Sequence, residues 1–236
     1  MELLKKGCSE LNIDLSTEAE KRFAVYQKRL VEWNERMNLT AITEPDEIQT
    51  KHFLDSLTPV SAGLIPQGCR VVDVGCGAGF PGLPIRFVCE EIRLTLLDSL
   101  EKRLQFLRQV LEDVKIKDVA VVHARAEDGG RDPKYREKFD VALSRAVANL
   151  ATLAEYCLPF VRVGGHLLAL KGPLVEQELK MGKKAIEVLG GKVQDVIGTR
   201  IPGTELAHNI VVIKKVSPCP KSYPRKAGTP SKKPIG

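Results

Sequence analysis

Between Val71 and Gly82 the chain reads V-V-D-V-G-C-G-A-G-F-P-G, an apolar run that reaches a carboxylate, Asp73, and opens into alternating glycines at Gly75, Gly77 and Gly79. A strand that feeds straight into such a turn lets backbone pass close beneath a ligand, because residues without Cβ tolerate positive φ and leave no side chain in the way. The chemistry this spacing permits is nucleotide binding at the carboxyl end of the strand. Gly77, Gly79 and Gly82 also satisfy the dinucleotide pattern G-x-G-x-x-G, and Asp98 follows about 20 residues later, where a carboxylate can accept both ribose hydroxyls. A tight strand-to-helix turn without a ligand is the plain alternative.

Two details weigh on which nucleotide is held. Asp73 stands two residues before the first glycine, where strands that bind NAD normally stay apolar, and the glycines alternate as G-x-G-x-G. A cationic ligand without a pyrophosphate suits nearby carboxylates and carbonyls, whereas bare helix-terminus N–H groups suit phosphate. Asp73 therefore fits a sulfonium, and S-adenosylmethionine is the expected cofactor. D-V-G-C-G-A-G resembles the class I methyltransferase signature.

Further polar residues follow other apolar runs, and ligands of open α/β sheets bind outside the carboxyl ends of strands. Ser99 caps a helix or lines the pocket. Ala126 and Glu127 stand where an acidic or backbone group can meet an adenine edge, and Phe80 can cover the ligand; a core Phe80 and a solvated Glu127 are the alternatives. Arg145, after Ser144, and Lys171 are candidates to grip a substrate phosphate or base carbonyl, or else structural ion-pair partners. His52 and Asp55, three residues apart on one helix face, either line the base pocket or form a buried hydrogen-bonded pair. Lys102, Arg103, Arg108 and Arg125 extend a phosphate-binding surface or are a solvated face.

The elements that must position these groups follow from periodicity. Thr17 and Glu20 have capping-box spacing, and Phe23, Tyr26, Leu30, Trp33 and Met37 mark one face of a helix. A second helical segment starts near Pro45 and carries His52 and Asp55. Strands are expected at Arg70–Val74, Arg93–Leu97, Val119–His123, Phe139–Ser144 and His166–Leu170, with helices beginning near Pro81, Ser99, Asn149 and Leu174. The runs Lys192–Thr199 and Asn209–Lys215, with only a turn at Pro202 and Gly203 between them, form an antiparallel hairpin at the sheet edge. The fold class is thus α/β, a Rossmann-like and mostly parallel sheet closed by a hairpin. The expected organisation is a helical extension over 1–66, a core over 67–216 and a basic, proline-rich tail over 217–236.

Composition bounds the partners. With 236 residues, 43% hydrophobic and 28% charged, the chain can bury one substantial core plus a helical extension. It has no apolar stretch of the ~18 to 20 residues a membrane span needs and no signal-peptide core in Met1–Glu20, so a cytoplasmic protein is expected. Six cysteines without a C-x-x-C pair suggest free thiols, with no metal site and no disulfide framework. From Lys214 onward there are seven cations and no carboxylate, against a net charge of +6 for the chain. Phosphate is the natural partner of such a tail, and its five prolines leave it extended, to order on binding; a solubilising terminus is the alternative. Aromatic content of 5% argues against broad base stacking, leaving shape and phosphate contact.

Several stretches carry a more specific resemblance: W-N-E-R-M-N-L-T-A-I at 33–42, H-F-L-D-S-L at 52–57, the glycine turn, L-D-S-L-E-K-R-L-Q-F-L at 97–107, S-R-A-V at 144–147, L-K-G at 170–172 and Y-P-R-K-A-G-T-P at 223–230. Together they resemble the bacterial 16S rRNA guanine-N7 methyltransferases, the RsmG or GidB family. The resemblance implies cofactor contacts at Gly75, Phe80, Asp98, Ser99, Ala126, Glu127 and Arg145, and methylation of a guanine in the decoding-region loop of 16S rRNA, free or in the 30S subunit. RNA contacts are expected at Lys102, Arg103, Arg125, Arg225 and Lys226. Guanine N7 has a lone pair and no proton, so in-line attack needs positioning and no general base. An NAD-dependent oxidoreductase, a basic RNA-binding module with a degenerate nucleotide fold, and a methyltransferase for another nucleic acid remain the competing readings.

Overall fold

The computed structural model describes residues 1–173 and 175–236. In chain order its elements are α1 (Glu2–Glu10), α2 (Thr17–Met37), α3 (Pro45–Glu47) continuing through a π-helical stretch at Ile48–Leu54 into α4 (Asp55–Ser61), β1 (Arg70–Val74), α5 (Gly82–Val88), β2 (Arg93–Asp98) and α6 (Glu101–Asp113). There follow β3 (Ala120–His123), α7 (Ala126–Gly129), β4 (Phe139–Arg145), α8 (Leu150–Cys157), β5 (Val161–Lys171), α9 (Val175–Val188), β6 (Gly191–Arg200), β7 (Ala207–Lys215) and α10 (Thr229–Lys232). The expected helix start at Leu174 lies outside the described residues.

The strands form one sheet in the order β3-β2-β1-β4-β5-β7-β6. The first five pair in parallel, and β7 runs antiparallel to both β5 and β6. Covered on both faces, β1 can be apolar almost throughout, and Val71, Val72 and Val74 are buried. One face of the sheet packs on α2, α5 and α6 around Phe23, Tyr26, Phe87 and Phe106; the other packs on α8 and α9 around Phe139, Leu158, Phe160 and Ile186. The topology is that of a class I methyltransferase sheet. It brings the carboxyl ends of β1, β2, β3 and β4 to one rim.

The sequence expectations differ from the structure in four places. The N-cap of α2 is Ser16, whose Oγ accepts from Ala19 N–H at 3.1 Å, one residue before the expected Thr17. The helix carrying His52 widens to π geometry. α1 was not foreseen; its buried Leu4, Gly7 and Cys8 make a face too short to read as periodic.

The largest correction concerns the tail, which is folded onto the body and not extended. Cys219 and Pro230 are buried, and Lys215 lies fully buried with its Nζ donating to the Leu158 carbonyl at 2.8 Å and 3.3 Å from Glu137. Of the seven tail cations, Lys214, Lys221, Lys226, Lys232 and Lys233 remain exposed.

Candidate functional site

The glycine turn is built from below. Gly75 N–H and Cys76 N–H donate to the Leu97 carbonyl at 2.8 and 3.1 Å, which lashes the turn to β2, and the Tyr26 hydroxyl donates from α2 to the Ala78 carbonyl. Gly75, Gly77 and Gly79 all have positive φ, at 71°, 57° and 100°. Above the turn opens a cleft of about 570 Å3, within the usual range for small-molecule sites.

Gly75 and Gly77 line this cleft, but Gly79 does not. A Cβ on Gly79 would stand 2.7 Å from Leu107 Cδ2 and 2.8 Å from the Tyr26 hydroxyl, so its bareness serves packing against α2 and α6. Gly79, expected at the ligand, is placed by the structure at a packing position. Gly82 likewise faces Asp73. Of the three glycines in the literal G-x-G-x-x-G pattern, only Gly77 lines the cleft; Gly79 and Gly82 pack against neighbouring side chains.

Asp73 also needs correction. It is fully buried and does not line the cleft; Oδ2 accepts from Gly82 N–H at 2.8 Å, and Oδ1 has no partner among the described residues. Burial raises its pKa to about 7, against the lowering effects of the Gly82 N–H and Arg145. It braces the turn from beneath through the Gly82 N–H and does not open onto the cleft.

Asp98, at the end of β2, is buried and lines the cleft. Its Oδ2 accepts from Gly77 N–H and its Oδ1 from Leu100 N–H, both at 2.9 Å, with Arg103 Nη1 3.5 Å from Oδ2. Two backbone donors fix the carboxylate plane and leave lone pairs open to the cleft. Ser99, Arg103, Arg125, Ala126 and Glu127 line the same wall. Glu127 is buried, and its Oε1 accepts from Gly228 N–H at 2.7 Å.

The opposite end is a linked set of polar side chains. Arg145 Nη1 donates to Asp55 Oδ2 at 2.7 Å, Arg145 Nη2 donates to His52 Nδ1 at 3.2 Å, and His208 Nδ1 donates to Asp55 Oδ1 at 2.8 Å. Because an arginine can only donate, His52 carries its proton on Nε2, which lies 2.8 Å from Thr40 Oγ1. Burial, then the Arg145 charge, lowers the His52 pKa to about 4, so the ring is neutral. Burial pushes Asp55 up, but His208 and Arg145 hold it below the usual carboxylate range. Phe80 stacks on His52 at 4.5 Å and on Tyr26 at 5.3 Å, with the Arg145 guanidinium 4.9 Å from its centroid. Phe80 is both core and cleft wall. His52 and Asp55 are joined through Arg145, and only His52 reaches the cleft.

Two expected cations lie elsewhere. Lys171 is buried, with Nζ donating to the Ala148 carbonyl at 2.5 Å and pairing with Glu178 at 2.7 Å, so it ties the loop after β4 to α9. Arg225 pairs with Glu155 on α8 at 2.6 Å and is half-buried, its charge matched by that carboxylate. Lys102, Arg125 and Lys226 are exposed. Among the described residues no cluster of three or more His, Cys, Asp or Glu could hold a metal ion, and no helix is long and apolar enough to cross a membrane.

The cleft also contains residues that sequence reasoning passed over. Thr40 and Leu39 come from the loop after α2; Ala146 and Val147 follow Arg145; Tyr156 comes from α8; Gly228 and Ser231 come from the tail. Ala146 adopts φ 55°, a strained conformation for a residue with Cβ, and lies at the cleft beside Arg145.

Comparison with known proteins places these features. The model of the GidB family, described as rRNA small subunit methyltransferase G, matches residues 19–206. A ribosomal RNA small subunit methyltransferase G from Clostridium botulinum (strain Eklund 17B / Type B) is 50% identical over 234 residues, 99% of this chain and 98% of that protein. One from Clostridium perfringens (strain SM101 / Type A) is 47% identical over the same shares. Among solved structures, the precorrin-6y C5,15-methyltransferase from Geobacter metallireducens shares the fold, with a TM-score of 0.52 at 17% identity, over 68% of this chain and 87% of that one.

Proposed function

The chain belongs to the rRNA small subunit methyltransferase G family, and from that premise we propose that its cleft binds S-adenosylmethionine and that it methylates N7 of a guanine in the decoding-region loop of 16S rRNA, presented by the RNA or the 30S subunit. The observation that carries the cofactor reading is Asp98, whose two oxygens are aligned at the cleft by Gly77 and Leu100 N–H groups as a ribose diol would require.

The donor set fits this cofactor. Gly77 lines the cleft with nothing within 4 Å of where a Cβ would sit, which leaves backbone open to close approach. Asp98 would hold the ribose, the Ala126–Glu127 segment the adenine edge, and Gly75, Ser99, Phe80 and Arg145 the remaining surface. When bound, S-adenosylmethionine supplies a methyl group activated by the positive sulfur.

The protein's own residues then orient and desolvate. Guanine N7 attacks with a lone pair and loses no proton, so neutral His52 is not asked to act as a base. Arg145, at the His52 end of the cleft, is a cation whose placement could oppose a base that becomes positive. Its charge is matched by Asp55 at 2.7 Å, so the guanidinium can donate to a guanine carbonyl without raising the local positive potential. Buried Phe80 keeps water from the turn. Exposed Lys102, Arg125 and Lys226, with Arg103 beside the cleft, serve RNA phosphates. We read 67–216 as the transfer core, with 1–66 and 217–236 as appended segments, working in the cytoplasm where ribosomes are made.

Two measurements test this. S-adenosylhomocysteine at 100 times its dissociation constant should stabilise the fold by about 2.7 kcal/mol, and NAD should not. Transfer of labelled methyl to unmodified 16S rRNA and 30S particles, with mapping of the modified base, should give 7-methylguanine; an adenine or pyrimidine product would overturn the target while leaving the cofactor site standing.

A further inference from the structure

The tail's path is fixed by side chains that would otherwise count as RNA-binding cations. Arg136 donates to the Cys219 and Tyr223 carbonyls, each at 2.8 Å, and Arg131 Nε donates to the Pro224 carbonyl at 2.8 Å. Arg225 then meets Glu155, which is fully buried. Arg225 N–H and Nε donate to Oε1 at 2.7 and 3.0 Å, and Nη2 donates to Oε2 at 2.6 Å. Without Arg225 that carboxylate would be a buried, uncompensated charge. Three residues on, Gly228 N–H donates to Glu127, the Pro230 carbonyl accepts from Thr152 Oγ1 at 3.2 Å, and Ser231 Oγ donates to the Gly228 carbonyl at 3.1 Å. Gly228 and Ser231 line the cleft beside Glu127 and Tyr156.

We propose that residues 223–231 form a wall of the adenosine end of the cofactor cleft, latched by Arg225 on Glu155, so that this segment sets affinity for the adenosine part of the cofactor instead of reaching freely for RNA. The inference rests on the cofactor reading above. Glu127 can present its free oxygen only while Gly228 holds the other, so docking of the tail and the geometry at Glu127 are one event. Arg225 and Gly228 are positioning residues: each acts through Glu127 or Glu155. The match to the GidB family model covers residues 19–206 and does not include this segment.

The test is calorimetric titration of S-adenosylhomocysteine into the full chain and three variants: a truncation after Lys221, Arg225→Ala, and Gly228→Val. Gly228 has φ 82° and nothing within 4 Å of a Cβ, so valine there strains the tail turn without striking the core and serves as the variant that folds. All three should bind at least about tenfold more weakly, Arg225→Lys should recover part of the loss, and KM for rRNA should change less than KM for the cofactor. Gly228→Val binding like the unaltered chain would overturn the proposal, as would variants that lose RNA affinity while keeping that for S-adenosylhomocysteine. Failure of the unaltered chain to bind S-adenosylhomocysteine would instead remove the cofactor reading itself.

Discussion

Arg145 and Asp55 lie 90 residues apart in sequence, yet Arg145 Nη1 is 2.7 Å from Asp55 Oδ2, so the guanidinium at the end of β4 is aimed by a carboxylate at the start of α4. Both side chains are largely buried, at 14% and 4% exposed, and this pair joins the end of β4 to the N-terminal helices, whose His52 lines the cleft.

Breaking that pair should cost more than the contact it removes. Asp55→Ala leaves Arg145 buried without its counter-ion and should destabilise the protein by about 3–5 kcal/mol, read as a lowered urea midpoint. Asp55→Asn keeps the shape and part of the hydrogen bonding, and should cost less. In both, kcat should fall more than S-adenosylhomocysteine affinity, because the Asp98 end of the cleft is untouched; equal losses in the two would contradict the division of the cleft drawn above.

The two histidines on this network should respond to pH in opposite directions. His208 has its pKa raised by the Asp55 hydrogen bond, so its stabilisation is fully present below the unfolded value of about 6.5 and is lost as pH rises through the folded value. His52 is lowered to about 4 by burial and Arg145. The unfolded chain takes up that proton first, so stability is lost as pH falls from about 6.5 towards 4, by at most on the order of 3 kcal/mol. Denaturation curves of His208→Gln should therefore diverge from those of the unaltered protein on the acid side and converge on the alkaline side. Those of His52→Gln should lose the acid limb between pH 6.5 and 4.

Much of this was legible in the residues, and what was not has physical reasons. β1 and the turn after it could be read because an apolar run broken by alternating glycines has few other uses. The burial of Asp73 follows from strand parity: it shares a face with Val71, under α5, where the Gly82 N–H meets it. Composition called the tail a phosphate-seeking arm, but charge counts cannot tell that Arg225 finds Glu155 70 residues away, or that Lys215 goes inside. The His208–Asp55 contact spans 153 residues and leaves no mark on local sequence. Cleft residues from Thr40 and Tyr156 arrive by packing of helices, which periodicity orients only to within a face.

Asp73 gives a test of its bracing role. With its pKa near 7 it is protonated in the fold over a range where the unfolded chain has already ionised. Its contribution is therefore greatest below about 3.9 and is lost as pH rises through 7. Asp73→Asn keeps an acceptor for Gly82 N–H and should flatten the stability profile between pH 4 and 7. Asp73→Ala strands that N–H, and its cost should be largest near pH 4 and shrink as pH rises towards 7. If Asp73→Asn instead abolished S-adenosylhomocysteine binding with stability intact, the carboxylate would be a ligand group after all.

Gly77 and Gly79 separate the two uses of a bare Cα within one turn. Both have positive φ, so alanine at either pays about 1–2 kcal/mol of backbone strain. At Gly79 the new methyl also meets Leu107 and the Tyr26 hydroxyl below 3 Å, so either α2 or α6 must shift and the loss should exceed the strain alone. At Gly77 nothing lies within 4 Å, and the methyl projects where the backbone faces the cleft. Gly77→Ala should thus lower the urea midpoint by the strain alone, while binding S-adenosylhomocysteine more weakly by at least about tenfold. Gly79→Ala should lower the midpoint further, and at temperatures where it remains folded its affinity should suffer less. The reverse assignment of stability and affinity losses would mean that the turn meets its ligand through Gly79, and that the cleft floor is not the surface formed by Gly75 and Gly77.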